Sequence, residues 1–175
     1  MKGKIFNVQE VQAIIAGNKT MFREVIKPYP ILSDDKSYWE FKGVQWAGEN
    51  SSYAKNFGDN ARPEMPDLCP YQIGQKIKPK PKSGSIDLQL RLFGIELLIK
   101  KIRVERLADI SEEDARLEGF PVDHLGNYYE PSKLDPWQGY ARASFSLSWN
   151  PTHKKPEEKF YANPFVWVVD FKINK

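Results

Sequence analysis

The sequence predicts an α+β domain, because stretches with helical and with strand periodicity alternate along its 175 residues. Val8–Ala16 places apolar side chains at the spacing of one helical face. Asn7 and Glu10 can form a capping box at the start of this helix, and Gly17 stands where a left-handed C-cap residue belongs. Near the other end of the chain, Phe165–Ile173 is almost entirely apolar, which is typical of an internal strand.

The remainder of the first third is expected to be extended or irregular. Lys4–Phe6 can form a short strand before the helix, and Thr20–Lys27 a strand after it. Tyr38–Trp46 is rich in aromatic residues, and Gly43 within it indicates a hairpin turn or a bulge. Residues 47–69 are rich in Asn, Ser, Gly, Asp and Pro, which predicts a long irregular loop.

Two segments in the middle of the chain predict further strands. Ile73–Lys82 alternates lysine with two prolines, which cannot donate to a sheet, so we expect an exposed edge strand. Ser85–Leu107 alternates as two strands joined by a turn near Gly94. The second of these strands has an apparent register break at Lys100–Lys101.

Two helices are expected in the second half. Ser111 is a good N-cap for a short acidic helix that ends before Gly119. Tyr140–Trp149 predicts another helix, with Phe145 and Trp149 on one face.

Composition restricts the class of protein. An apolar fraction of 41% is that of a globular chain, here one domain spanning residues 1–175. A net charge of +3 permits a nucleic-acid partner without requiring one. The longest apolar run, Leu92–Ile99, is far shorter than the ~20 residues that cross a bilayer. A lone Cys69 and the absence of a signal-peptide core lead us to expect a cytoplasmic protein with no membrane association.

The sequence offers little for metal or cofactor chemistry. His124 and His153 are far apart and neither stands near other ligand residues, so we expect no metal. No phosphate-binding loop is found, and we expect no cofactor. Cys69 has no neighbouring base and is interpreted as a packing residue.

Four segments, in order along nearly the whole chain, resemble the ASCH family, part of the PUA-like superfamily. They are Ala16–Thr20 with Arg23 and Lys27–Pro28, Leu68–Tyr71, Val104–Ala115 with Glu118–Gly119, and Asn163–Phe171. Members from bacteriophages and prophages are the most similar, although they carry a Pro-Gly-Asp turn where this chain has Ile73-Gly74-Gln75. The resemblance implies a small, mostly antiparallel, partly closed β-barrel with the two helices at 8–16 and 111–118 beside one mouth.

Some small ASCH proteins are amidohydrolases of acetylated cytidine, and the resemblance extends to part of their site. It implies a lysine at Lys19, a threonine nucleophile three residues later, and a glutamate at Glu118. This chain keeps Lys19 and Glu118 but has Phe22 at the nucleophile position, and Phe22 cannot attack a carbonyl. Thr20 should point away from Lys19 if the segment is a strand. Alternatively, Lys19 and Glu118 form a structural ion pair that ties the strand to the short helix.

The family's proposed role in RNA binding gives a non-enzymatic interpretation, in which cations hold phosphates and aromatic rings stack on bases. We expect RNA or a nucleotide-like ligand to contact the following residues, with Tyr38 and Trp46 as further stacking candidates: Lys19, Thr20, Arg23, Lys27, Arg103, Arg106 and Trp39. An accessory phage protein that binds a host or phage protein is a competing interpretation. The loop at 47–69 and the lysine- and proline-rich segment at 76–82 offer surfaces for such a partner.

Overall fold

The computed structural model describes residues 2–34, 39–46, 68–82, 84, 86–120 and 141–174. The strands are β1 (Lys2–Phe6), β2 (Met21–Val25), β3 (Ile31–Leu32), β4 (Trp39–Phe41), β5 (Val44–Trp46), β6 (Lys76–Pro81), β7 (Glu96–Arg106) and β8 (Phe165–Asn174). The α-helices are α1 (Val8–Ala16), α2 (Ile86–Arg91), α3 (Glu112–Leu117) and α4 (Ala141–Thr152). The predicted α+β class is therefore confirmed. The loop at 47–67, the side chains of Tyr38 and Trp46, and His124 lie outside the described residues.

Five strands form the main sheet, in the order β1-β6-β7-β8-β2. Only the β1–β6 pair is parallel, so the expectation of a mostly antiparallel sheet is confirmed. A separate three-stranded antiparallel sheet contains β3, β4 and β5, and its β4–β5 hairpin turns at Lys42-Gly43, both with positive φ. That conformation matches the two-residue turns that suit the twist of a hairpin.

The main sheet is open, contrary to the barrel that the resemblance implied. Within the described residues β1 and β2 are its two edges, and no backbone ladder joins them. Side chains bridge the gap instead. Lys4 Nζ lies 2.6 Å from Glu24 Oε2, and the ring centroids of Phe6 and Phe22 are 6.0 Å apart. The sheet thus curls until its edges face each other, but the gap between them remains a cleft.

The strand predicted to begin at Ser85 is a helix, α2. Its alternating leucines satisfy strand periodicity, but Leu88 and Leu92 are also four residues apart and bury together on the core. The turn at Gly94 (φ 80°) and the register break between Ile99 and Lys101 are confirmed.

The segment predicted as a sheet edge, β6, lies second in the sheet. It pairs with β1 from Ile77 to Pro81, but it pairs with β7 only at Lys76 and Ile77. The Lys82 N–H donates to the Phe6 C=O of β1 at 2.7 Å. Because backbone N–H groups alternate sides along a strand, the nitrogens of Pro79 and Pro81 face the opposite side, toward β7. Because pairing with β7 has already ended there, their missing N–H groups cost the sheet nothing.

The core occupies both faces of the sheet, and the internal strand β8 contributes to each, as predicted. Phe165, Trp167, Val169 and Phe171 bury against the face that α1 and α2 cover. Val166 and Val168 bury against α3 and α4 on the opposite face. Within the described residues, no helix is both long enough and apolar enough to traverse a bilayer.

Candidate functional site

Two helix ends bring Lys19 and Glu118 together. The capping box at Asn7 and Glu10 begins α1, and Gly17 ends it in the left-handed region (φ 84°). The predicted capping box and the predicted C-cap are therefore both confirmed. Ser111 caps α3 as expected, and Glu118 follows its last residue. Glu118 then forms an isolated antiparallel bridge with Lys19.

Gly119 allows these segments to approach closely. Its φ is 100°, and a Cβ there would lie 2.9 Å from Ala13 Cβ and 3.2 Å from Lys19 Cβ. Only glycine combines that backbone conformation with so little space. The Glu118–Gly119 dipeptide is therefore required by the geometry that places the glutamate beside the lysine.

Lys19 and Glu118 form a buried ion pair. Lys19 Nζ donates to Glu118 Oε2 at 2.6 Å and to the Glu118 carbonyl at 2.8 Å. Their side chains are only 1% and 4% exposed, and Glu10 Oε1 lies 3.4 Å from the same ammonium. The structural ion pair, which the sequence left open as an alternative, is therefore present.

Arg23 extends this pair into a charged network. Its Nη1 donates to Glu118 Oε1 at 3.0 Å, and its Nη2 donates to Asp114 Oδ2 at 2.7 Å and Glu105 Oε2 at 3.1 Å. The side chain is fully buried, and its Nε has no hydrogen-bond partner in the part of the chain that the structure describes. Unpaired buried donors of this kind are rare in folded proteins.

Arg103 joins the same carboxylates from β7. It donates to Glu105, to Asp114 and, at 3.0 Å, to Asp170. Burial opposes its positive charge, but these carboxylates raise the pKa of its guanidinium. Lys19, Arg23 and Arg103 together face the five carboxylates of Glu10, Glu105, Asp114, Glu118 and Asp170. Arg23 and Arg103, two of the three arginines predicted to contact the ligand, are thus neutralised within the protein.

Four members of the charged network line the cleft between the edge strands, which we call the edge cleft: Glu10, Lys19, Arg23 and Glu118. It has a volume of about 360 Å³, and its lining includes Lys4 and Phe6 from β1, and Phe22 from β2. A neighbouring hollow of about 480 Å³ shares Lys4 with it, so the two lie side by side. These volumes are those of small-molecule sites.

An aromatic wall flanks the edge cleft on the side of α4. Phe120, Phe145 and Trp149 line it, and Trp149 stacks on His153 with centroids 3.8 Å apart and an interplanar angle of 8°. Burial lowers the pKa of His153, which favours the neutral ring. Phe145 and Trp149 are only 4% and 6% exposed, so the accessible part of this wall is the half-buried rings of Phe120 and His153.

Lys4 and Glu24 mark the boundary between the two hollows. Glu24 also accepts a 2.8 Å hydrogen bond from the Tyr71 hydroxyl. Burial raises the pKa of Glu24, but the charge and hydrogen bond of Lys4 outweigh it, and the net pKa is lowered. Burial likewise raises the pKa of the nearby Cys69 thiol to about 11, so it remains protonated, in keeping with its interpretation as a packing residue.

The remaining predicted residues are dispersed. Lys27 is 57% exposed beside the second hollow, where its Nζ pairs with Glu158 at 2.7 Å. Arg106 stacks on Trp39 and Phe165, with its Cζ 4.6 Å and 3.9 Å from the ring centroids. Neither Arg106 nor Trp39 is among the described residues that line the edge cleft.

Thr20 contributes through its backbone. Its N–H donates to Leu117 C=O at 2.8 Å, and its C=O accepts from Phe171 N–H at 2.8 Å. Thr20 is absent from the described lining of the edge cleft, whereas Lys19 is present. It ties α3 to β8.

Sequence reasoning missed the contributions of Lys4, Glu24 and the Trp149–His153 stack. Lys4 and Glu24 meet only because the sheet curls, which no local pattern reveals. Trp149 and His153 are four residues apart at the end of a predicted helix, and that spacing was a usable signal.

No protein-family model, curated protein or solved structure matches this chain. Among the described residues, no group of three or more His, Cys, Asp or Glu side chains is arranged to hold a metal ion.

Proposed function

We propose that this chain is an ASCH protein of the phage or prophage type that binds single-stranded RNA or a nucleotide-like ligand in the edge cleft without acting on it as an enzyme. The observation that carries the proposal is the buried Lys19–Glu118–Arg23 network in a cleft with aromatic walls. Buried ion pairs contribute little net stability, so a network of this size at a cleft favours a binding role.

The chemistry of the cleft suits a nucleobase. The half-buried His153 ring, which stacks on the buried Trp149, can stack on a base, and such stacking is worth ~1–3 kcal/mol per base in single-strand binders. Glu118 lines the same cleft, and its carboxylate can accept a hydrogen bond from a base edge.

Phosphates would contact lysines at the rim rather than the arginines of the network. Lys27 and Lys42 line the second hollow and Lys82 lines the edge cleft, and all three side chains are exposed. In this proposal Arg23 and Arg103 position the carboxylates, and the rim lysines supply the salt-dependent attraction.

A second candidate is amidohydrolysis of acetylated cytidine, which the 2.6 Å contact between Lys19 and Glu118 favours. Against it stands Phe22, which is 2% exposed and packs edge-on against Tyr71 with centroids 5.2 Å apart. A hydrophobic ring in the nucleophile's place leaves the lysine without a group to activate.

The test is titration of a fluorescein-labelled single-stranded RNA of mixed sequence at several salt concentrations, read by fluorescence anisotropy. The triple variant Lys27→Ala/Lys42→Ala/Lys82→Ala should bind more weakly and lower the slope of log K against log salt by roughly 2, at ~0.7 per lost phosphate contact.

The matched control is Lys100→Ala/Lys101→Ala/Lys172→Ala, which removes the same charge from exposed positions of β7 and β8 outside the cleft lining. Equal loss of affinity in both variants would show only non-specific attraction. Binding that is absent in the wild-type protein, to RNA and to mononucleotides alike, would refute the proposal.

A further inference from the structure

Strand β6 presents a row of lysines on one face of the main sheet. Ile77 and Pro79 are buried on the face that α1 and α2 cover. Because side chains alternate along a strand, the residues between them point to the opposite face. The lysines on that face are exposed and about 7 Å apart along the strand. We call them the β6 lysine row: Lys76, Lys78 and Lys80, continued by Lys82 directly after the strand.

The β6 lysine row begins at the rim of the edge cleft. Lys82 and Ile5 both line the cleft, and Ile5 is the register partner of Lys80 in the parallel β1–β6 pair. The next outward-facing pair is Gly3 with Lys78. Gly3 has no side chain, and Lys80 extends across it, with its Cε 2.7 Å from the position of a Cβ. The row therefore leads away from the cleft along β6.

Most of the charge in this row is not neutralised by neighbouring carboxylates. Lys76, at the end distant from the cleft, pairs with Glu96 at 2.8 Å. Lys78, Lys80 and Lys82 are exposed and form no ion pair with any described residue. Three ammonium groups between the cleft and Lys76 are therefore available to an external anion, whereas the arginines of the charged network are buried among carboxylates.

The chemistry of the row favours a phosphate backbone over a protein surface. Lysine is depleted from the cores of protein–protein interfaces, which are anchored by aromatic side chains and arginine. On this face the described residues of β1 and β6 expose one large apolar side chain, that of Ile5. Alternate residues of a strand are spaced much like successive phosphates of an extended single strand, and lysine binds a phosphate as a point charge.

We propose that single-stranded RNA continues from the edge cleft along the β6 lysine row, so that the ligand is an oligonucleotide rather than a mononucleotide. The inference rests on the proposed function, because the cleft holds the first base. Successive phosphates then pair with Lys82, Lys80 and Lys78. Contacts to the backbone carry no sequence information, so the row adds affinity that depends on strand length and on salt.

The experiment compares two fluorescein-labelled RNAs by anisotropy: a dinucleotide, which the cleft alone can hold, and a strand of about 8 nucleotides. Lys78→Ala/Lys80→Ala should bind the longer RNA about tenfold more weakly at low salt, and its salt slope should fall by roughly 1.4, at ~0.7 per lost phosphate contact. Its affinity for the dinucleotide should equal that of wild type. Both substituted side chains are exposed, so the circular dichroism spectrum should be unchanged.

The matched control is Lys100→Ala/Lys101→Ala, which removes two exposed charges from β7 beyond the residues that pair with β6. It should bind both RNAs as wild type does. If Lys78→Ala/Lys80→Ala and this control bind the longer RNA equally well, the row is not part of the site, although the cleft still is. Displacement of the longer RNA by polyglutamate as readily as by unlabelled RNA would also overturn the proposal, in favour of an acidic protein partner. A wild-type protein that binds neither RNA would refute the proposed function, and the role of the row with it.

Discussion

The edge cleft contains buried charged side chains, and burying charge is costly for the stability of a fold. Glu118 accepts hydrogen bonds from both Lys19 and Arg23 while being only 5% exposed. Removing ions from water costs several kcal/mol each, and mutual attraction returns most of that only when every partner is in place. The network is therefore sensitive to the loss of any one member.

Glu118→Gln should lower the free energy of unfolding by about 3 kcal/mol, because it leaves the buried charges of Lys19 and Arg23 without their shared counter-ion. Urea denaturation at neutral pH measures the change. Glu113→Gln is the matched control on an exposed position of α3, and it should stay within ~0.5 kcal/mol of wild type. Similar losses in both variants would contradict a special role for Glu118.

His153 should make stability depend on pH. Burial lowers its pKa from 6.5, so the unfolded chain binds more protons between the two pKa values. The contribution of neutral His153 to the free energy of unfolding is then fully present above pH 6.5, and it is lost as the pH falls through the pKa of His153 in the folded protein. Unfolding measured between about pH 5 and 8 should show this loss, and His153→Gln should flatten it. An NMR titration that places the His153 pKa above 6.5 would contradict the sign.

At the scale of elements, the junction between α1 and α3 depends on one glycine. Gly119→Ala introduces a Cβ at φ 100° and 2.9 Å from Ala13 Cβ. Gly74→Ala is the matched control, because Gly74 has φ 83° and a Cβ added there would have no neighbour within 4 Å. The control should cost about 1 kcal/mol of backbone strain, and Gly119→Ala at least ~1 kcal/mol more, since a neighbour must also move. Equal shifts in thermal denaturation would show that the contact has no cost.

Elements with strong local signals were predictable from the sequence, and those decided by tertiary contacts were not. The caps at Asn7 and Ser111 involve neighbouring residues only, so α1 and α3 could be located from the pattern. The leucines of α2 fit two periods at once, and only burial of Leu88 with Leu92 selects the helix. The prolines of β6 showed that one edge of this strand cannot be fully hydrogen-bonded to a neighbour. The sequence could not show that β1 pairs with the other edge.

At the scale of the molecule, the site arises from how far the sheet curls. The pairing of Lys19 with Glu118 was among the alternatives at the sequence level, because the resemblance to the ASCH family implied that both residues belong to one site. The contact between β1 and β2 could not be predicted from the sequence, since it depends on the curvature of the whole sheet. The edge cleft is the space that remains between these edges, and both Phe22 and Lys19 line it.

That placement leads to a prediction about activity: the wild-type protein should release no cytidine efficiently from acetylated cytidine. Lys19 and Glu118 are in contact, but acyl transfer also needs an attacking group, and its loss typically costs several orders of magnitude in rate. Phe22 instead fills the position with a ring that packs on Phe6 and Tyr71.

The measurement follows cytidine release by wild type, Phe22→Thr and Phe22→Ala. Both substitutions open a similar cavity and should cost ~3 kcal/mol of stability, so thermal melting must first show that each variant is folded at the assay temperature. Only Phe22→Thr adds a hydroxyl beside Lys19. Turnover in the threonine variant alone would assign the missing function to that group, whereas efficient turnover by the wild-type chain would overturn the prediction and make the protein an enzyme.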